Sequence, residues 1–190
     1  MKRCDWAETG NQAMKEYHDV IWGVPEYDDQ QLFRKLVLDS NQAGLSWQTI
    51  LNKSVAFDEA YENFEIEKVA AFDDEKIASL MGNAGIIRNR LKITAAINNA
   101  NCILQIQKEW GSFSAYLWHF VAGKPVVHYF KTSEEIPTKT PLSDEITKDL
   151  KKRGFKFVGS TIIYAFLQAV GIVNDHLTIC FRHEEVQEKL

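Results

Sequence analysis

The segment HLTIC places His176 and Cys180 four residues apart. On an α-helix that spacing stacks both side chains on one face, close enough to grip one metal ion. It equally fits a helix-face histidine beside a buried cysteine. Two ligands do not complete a zinc site, and five histidines and three cysteines leave few partners. Near the N-terminus, Cys4 and His18 lie in MKRCDWAETGNQAMKEYHD, which has little apolar periodicity of its own. Joined to the C-terminal pair they make a Cys₂His₂ set. Four protein ligands leave no open position, so such a zinc would be structural, stapling the two chain ends together. His119, in YLWHF, and His128 read as packing or surface residues, and His183 as tail. The spacing matches neither a zinc-finger nor a ribbon pattern, so the residues alone leave both readings open.

Three further groups could carry chemistry. Trp6, Tyr17, Trp22 and Trp47 sit beside polar, turn-like sequence in CDW, YHDVIWG and NQAGLSW rather than inside apolar stripes. Flat rings around a slot can stack on a planar heterocycle, and a nearby carboxylate, Asp39 or Asp19, can read its edge; the same rings can equally be core anchors. In GNAGIIRNRLKI, residues 82–93, a helix ends in glycine-punctuated loop residues and another starts near Ile87 or Arg88, a helix-hairpin-helix reading. Gly82 and Gly85 permit a tight turn, the following N–H groups can hold a phosphate, and Arg88, Arg90 and Lys92 supply charge there. An ordinary turn with a solvated basic face is the alternative. In KKRGFKF, residues 151–157, Lys151, Lys152, Arg153 and Lys156 interleave with Phe155 and Phe157. That pattern suits a nucleic-acid strand, or a helix C-terminus whose phenylalanines pack inward.

The elements that must position these residues are helical nearly throughout. Asp28 with Gln31 resembles a capping box, after which Leu32, Phe33, Leu36 and Val37 share a face until Gly44 interrupts. Ser46 can cap a helix carrying Ile50 and Leu51, and DDEKIASLMG offers an aspartate cap and a glycine stop. In IRNRLKITAAINNANCILQIQKEWG, Ile93, Ile97, Ala100 and Leu104 form one stripe, with Cys102 on a neighbouring one as a buried thiol. KPVVHYFKTSEEIPTKTP holds three of the four prolines and reads as a long connection with an extended piece at VVHYF. Helices resume at Ser143 and again from Ser160. The fold class is all-α.

At 190 residues, 45% hydrophobic and 25% charged, the chain can bury a real core. A net charge of −4 excludes a polyanion binder coated in positive charge, so any nucleic-acid contact is local. No apolar run approaches the roughly 18 residues that would span a bilayer, and no leader opens the chain. An odd number of cysteines without an export signal speaks against a disulfide framework and for a cytoplasmic protein.

Together CDW, YHDVIWGVP, QAGLSWQTIL, NAGIIRNRLKI and KRGFKFVGSTIIYAFLQAVGIVNDH resemble the 3-methyladenine DNA glycosylase I family, helix-hairpin-helix base-excision repair enzymes, over essentially the whole chain. The resemblance implies a single unit, 1–190, of helical lobes, with zinc-clasped termini at 1–25 and 172–183 and a hairpin-containing region at 65–110. It implies one structural Zn²⁺ on Cys4, His18, His176 and Cys180. It implies a base pocket of Trp6, Tyr17, Trp22 and Trp47 around the acid Asp39, Leu45 approaching the gap in the duplex, and Ala84, Gly85, Arg88 and Arg90 meeting backbone phosphate. The implied activity is monofunctional hydrolysis of the N-glycosidic bond of 3-methyladenine in alkylated double-stranded DNA, by a monomer, releasing free base and leaving an abasic site. The family's usual acid is glutamate in LEGQQAGLSW, whereas this chain reads LDSNQAGLSW, with Asp39, Ser40 and Asn41. Loss of one methylene pulls the carboxylate back by up to about 1.5 Å, one carbon–carbon bond. Position 21 is Ile where an acid is common. These departures open a second expectation, a damage-DNA binding module with altered or lost turnover.

Overall fold

The computed structural model describes residues 1–187, so the last three residues of the expected 1–190 unit lie outside it. Two short helices, α1 (Asp5–Glu8) and α2 (Gln12–Glu16), lead into a single wide turn of π-helix, Tyr17–Ile21, closed by Trp22 N–H on the Tyr17 carbonyl at 2.9 Å. Helix α3 (Asp29–Gln42) follows, then α4 (Trp47–Asn52), α5 (Ser54–Ala60), α6 (Ile66–Ala70) and α7 (Asp74–Gly82). The longest element is α8 (Arg90–Trp110), succeeded by α9 (Phe113–His119), α10 (Pro141–Lys152), α11 (Ser160–Ala169) and a last turn, α12 (Arg182–Glu185).

Local chemistry explains where these helices begin. Asp28 caps α3 by accepting Gln31 N–H at 2.9 Å, but only half of the expected capping box forms, because Glu26 rather than Gln31 accepts the Asp28 N–H. Ser46 caps α4 and Asp73 caps α7, as expected. The complete capping box belongs to α10: Thr140 and Ser143 exchange backbone and side-chain hydrogen bonds, and Pro141 sits at the first helical position. This helix therefore starts two residues before Ser143, which is the helix's third residue rather than the start. Helix α8 begins at Arg90 because Asn89 is extended and accepts Lys92 N–H, later than the expected Ile87 or Arg88.

The apolar stripes meet in one core. Leu32, Phe33, Leu36 and Val37 of α3 pack with Phe57, Phe64, Ile93, Ile103, Phe113, Ile163 and Phe166. Helix α8 lies along α6 and α9, and α11 bridges α3 and α10. Cys102 is half-buried against this core rather than inside it. The expected extended piece at VVHYF is present as β1 (Val126–Val127), and it pairs in parallel with β2 (Val173–Asn174), a strand the apolar pattern after α11 does not announce. The pairing turns a long connection into a strap that carries the chain from α11 toward His176. Thr178 N–H on Phe130 fastens the segment after β2 to the one after β1, and Phe181 N–H on Lys2 ties the two ends.

One carboxylate joins several helices. Asp29, in the first turn of α3, accepts from Gln107 at 2.7 Å and from the N–H groups of Phe113 and Ser114 at 2.8 Å. It thus satisfies two of the free donors at the α9 N-terminus. Asp29→Ala is expected to lower unfolding free energy by about 1–3 kcal/mol, the range for stranding such donors, read as a lower urea midpoint with unchanged slope.

Candidate functional site

The chain termini meet at four buried side chains, Cys4, His18, His176 and Cys180, whose ligand atoms all lie within 4.8 Å of one another. Cys180 Sγ is 3.4 Å from His18 Nε2 and 3.7 Å from His176 Nδ1, and Cys4 Sγ is 3.7 Å from His176 Nδ1. Zinc–sulfur and zinc–nitrogen bonds of tetrahedral geometry imply ligand–ligand edges of about 3.3–3.8 Å, which these separations match. Each histidine also presents the correct nitrogen. His18 Nδ1 lies 2.8 Å from Asp19, itself held by Arg3 at 2.8 Å, and His176 Nε2 lies 3.1 Å from the Trp22 carbonyl. Both outer nitrogens donate, which leaves one inward lone pair on each ring, the arrangement found for metal-bound histidine. The contact with Cys4 lowers the Cys180 thiol, while the same contact and burial raise Cys4. Burial lowers His176. The cluster can hold a metal ion.

His176 and Cys180 do not share a helix, contrary to the sequence expectation. Residues 175–177 belong to neither a helix nor a strand, and a tight turn follows, with Cys180 N–H on the Leu177 carbonyl at 2.7 Å. The Leu177 N–H is taken by Cys4 Sγ at 3.4 Å, so the backbone there serves the cluster instead of a helix. Gly23, at φ +77, completes the seat: a Cβ there would stand 2.7 Å from His176 Nε2. His183, expected as tail, is buried with Nε2 at 2.9 Å from the His128 carbonyl.

A cavity of about 240 Å³ opens directly beside this cluster, and Trp6, Tyr17, Trp22, Asp39 and Trp47 all line it. Trp22 is edge-on to His176 at 4.6 Å and Trp6 edge-on to His18 at 5.2 Å, so two pocket walls rest on the cluster's imidazoles. Tyr17 and Trp47 lie 5.1 Å apart on the other side. The π-turn sends Tyr17 to the cavity and its neighbour His18 to the cluster, a use of irregular helix common at functional sites. Sequence reasoning missed Met14, Gln42, Ala165, Gln168 and Ala169, which complete the lining. Ala165, Gln168 and Ala169 recur at helical spacing on α11, and a glutamine inside IIYAFLQAVG was the available signal. The Gln168 amide donates to Asp175 at 2.7 Å, and Asp175 also binds Tyr164 and His128.

Asp39 is 5% exposed, and its Oδ2 has no hydrogen-bond partner; Trp47 Nε1 is likewise buried and unpaired. Native proteins rarely strand such atoms. Lys35, one turn earlier on α3, is committed to the Ala169 carbonyl at 3.3 Å and to Glu26 at 3.7 Å. Burial therefore pushes the Asp39 carboxyl up to about 8, against a partial pull from Lys35. Asp19, the other acid available from sequence, belongs to the cluster and not to the cavity.

Leu45 is 41% exposed in the Ala43–Ser46 loop and lines a second opening together with Asp39, Gln42 and Thr161. Ala84, Arg88 and Arg90 are exposed between α7 and α8, and Gly85 is half-buried. Lys92, expected to add charge there, is only 8% exposed and donates inward to the Asn41 and Ala43 carbonyls. Ile21, where an acid is common in the resembling family, borders a smaller cavity of about 80 Å³ that shares Tyr17, Asp39 and Trp47 with the first. In KKRGFKF, Arg153 caps α10, pairs with Asp149 and Glu109, and lies over the Tyr116 ring; Phe155 is buried, as the helix-terminus reading predicts, while Phe157 is only half-buried.

Asp39 keeps its proton in the folded chain to about pH 8, whereas the unfolded chain releases it near 3.8, the group's ordinary value. Its contribution to stability is therefore largest below pH 4, declines as pH rises, and levels off above 8. Asp39→Asn cannot ionise, so it is expected to exceed the parent in stability by about 1–3 kcal/mol at pH 8. That advantage shrinks toward pH 5. Urea midpoints at the two pH values check it, and an advantage independent of pH would mean that the carboxyl is not held neutral by burial.

The model of the methyladenine glycosylase family matches residues 6–183. DNA-3-methyladenine glycosylase 1 of Escherichia coli K12 is 46% identical over 95% of this chain and 96% of its own length. DNA-3-methyladenine glycosylase of Haemophilus influenzae is 44% identical, covering 94% and 96%. A solved structure of 3-methyladenine DNA glycosylase I from Staphylococcus aureus, described as giving the structural basis of 3-methyladenine recognition, superposes with a TM-score of 0.91 at 40% identity, over 95% of this chain and 96% of that one. The match covers nearly the whole chain, and the chain belongs to the methyladenine glycosylase family.

Proposed function

We propose that the protein is a monofunctional DNA glycosylase that hydrolyses the N-glycosidic bond of 3-methyladenine in alkylated double-stranded DNA, releasing free base and leaving an abasic site. The observation that carries this reading is the aromatic cavity with one buried, unpaired carboxyl, Asp39, in its wall. At about 240 Å³ it is smaller than the roughly 300–1,000 Å³ of pockets for drug-sized ligands, which suits a single flat base. The family membership points the same way.

The chemistry follows from charge. Alkylation at N3 makes adenine cationic while still attached to its sugar, so the bond to it is already weak and needs little acid catalysis. Opening a damaged pair also costs less than opening an intact one. Inside the cavity the electron-rich faces of Trp6, Trp22 and Trp47 attract a cationic ring. An ionised Asp39 alone in this cavity is expensive, because a buried charge needs a partner. The cationic base is that partner: as it enters, Asp39 releases its proton to solvent and the carboxylate accepts from the base edge. A normal, neutral base gives Asp39 no such compensation, which is the source of selectivity. Water attacks the sugar once the base is held. Among the described residues no lysine lines the cavity, which fits a reaction without a Schiff base or strand cleavage.

Around this centre, Leu45 enters the space left by the flipped nucleotide, and Ala84, Gly85, Arg88 and Arg90, on the α7–α8 helix-hairpin-helix, hold phosphate at the N-terminus of α8. One zinc per chain sits on Cys4, His18, His176 and Cys180. With four protein ligands it does no bond-breaking; it fixes the two rings against which Trp6 and Trp22 stand. The single helical unit acts as a monomer in the cytoplasm. The shorter acid, aspartate in place of the family's glutamate, still lines the cavity here.

Mass spectrometry of bases released from methylated duplex DNA tests the proposal. Free 3-methyladenine is the expected product, with a release rate at subsaturating protein that climbs from pH 6 toward 8. Asp39→Asn is expected to lose roughly 100-fold in that rate, about 2.7 kcal/mol of transition-state stabilisation, and most of the pH dependence. Folded protein that binds methylated DNA but releases no base would leave a damage binder instead of an enzyme.

A further inference from the structure

Two lysines cross between the turn joining α7 to α8 and the segment that carries the cavity. Lys92, in the first turn of α8, is buried and extends its ammonium to the carbonyls of Asn41 at 2.8 Å and Ala43 at 2.9 Å. These lie at the C-terminal end of α3, where carbonyls lack helical partners and the helix dipole is negative. Asp39 stands less than one turn upstream of Asn41, and Leu45 two residues downstream of Ala43. Lys53, at the junction of α4 and α5, runs the opposite way: its ammonium donates to the Ala84 carbonyl at 2.8 Å and approaches that of Gly85 at 3.4 Å. The turn is also pressed onto α5, since a Cβ on Gly85 would stand 2.9 Å from that of Ala56. The segment from Asp39 to Lys53 and the turn from Ala84 to Lys92 are thus tied at both ends by charge-assisted bonds, with no slack between.

We propose that Lys92 is a positioning residue for base excision, with Lys53 as its reciprocal: together they fix the distance between the phosphate-facing turn and the Leu45 loop and Asp39 wall. The proposal rests on the glycosylase reading. A duplex gripped by phosphate at the α7–α8 turn delivers its flipped base to the cavity only if the two surfaces keep one separation. A shift of about 1 Å in such a placement is enough to slow a reaction by two orders of magnitude. A buried cation on two carbonyls, unlike an exposed one on phosphate, acts on the rate after DNA is bound rather than on DNA affinity.

Lys92→Met keeps the length of the stem and removes the charge. The test compares it with Lys92→Arg, Lys53→Met and the wild-type protein by two readouts: binding of free 3-methyladenine, followed by tryptophan fluorescence, and single-turnover release of 3-methyladenine from methylated duplex DNA at saturating protein. For Lys92→Met the expected release is roughly ten- to a hundredfold slower, with free-base binding within about twofold of wild type. Lys92→Arg recovers most of the rate, because it restores a cation to the same carbonyls. Lys53→Met, whose ammonium is part-exposed, shows a smaller loss of the same kind and serves as the reporter if Lys92→Met does not fold. Unchanged release in both methionine variants would overturn the proposal. So would base binding that falls in step with release, which would mean that the lysines only maintain the cavity. A wild-type protein that releases no base would overturn the glycosylase reading and this proposal together.

Discussion

The rest of the site depends on a meeting of the two chain ends. Cys4 comes from just before α1 and His18 from the π-turn, His176 and Cys180 from the segment after β2, and the atoms they bring together all lie within 4.8 Å of one another. Nothing local holds the first 25 residues: α1 and α2 are four and five residues long, too short to persist without tertiary support. Yet Trp6, Tyr17 and Trp22, three walls of the cavity, lie in that segment. The π-turn resolves the demand by sending adjacent side chains in different directions, Tyr17 to the cavity and His18 to the cluster. Edge-on contacts of Trp22 on His176 and Trp6 on His18 carry the cluster's order directly into the pocket.

The opposite wall comes from the main core. Helix α3 is anchored by Leu32, Phe33, Leu36 and Val37 and held at its start by the bonds of Asp29 to α8 and α9. It therefore presents Asp39 from a rigid element, which is what a group that reads a base edge requires. The same rigidity leaves the carboxyl with an unpaired oxygen in an apolar wall. A fold ordinarily avoids that arrangement, and a cationic ligand is what makes it useful. On the proposed function, selectivity arises from a charge the lesion carries and an intact base does not, more than from a tight steric fit.

How much of this was legible in the sequence depended on whether a residue's role is local. The main helices follow from apolar spacing and caps, because Asp28, Ser46 and Asp73 act within three residues of themselves. Cys4, His18, His176 and Cys180 come together in one buried cluster, and Trp6, Tyr17, Trp22, Asp39 and Trp47 all line one cavity. What the sequence hid is non-local. The backbone around His176 abandons the helix suggested by its spacing to Cys180, because its partners lie some 170 residues away. Strand β2 exists only through its pairing with β1. Lys92 reads as one more phosphate-facing charge beside Arg88 and Arg90, and only the packing of α8 on the end of α3 turns it inward. Gly82, read as part of the tight turn, has open space where a Cβ would lie, whereas Gly85 has none.

The claim that the clasped termini build the pocket has a direct test. Metal content of the purified protein would be measured first, and then free 3-methyladenine binding before and after metal removal by a chelator and after return of zinc. One zinc per chain is expected, with base binding lost on removal, together with the near-ultraviolet circular dichroism of the pocket tryptophans, and regained when zinc is restored. A metal-free protein that keeps its tryptophan signal and binds the base as well as before would contradict the account.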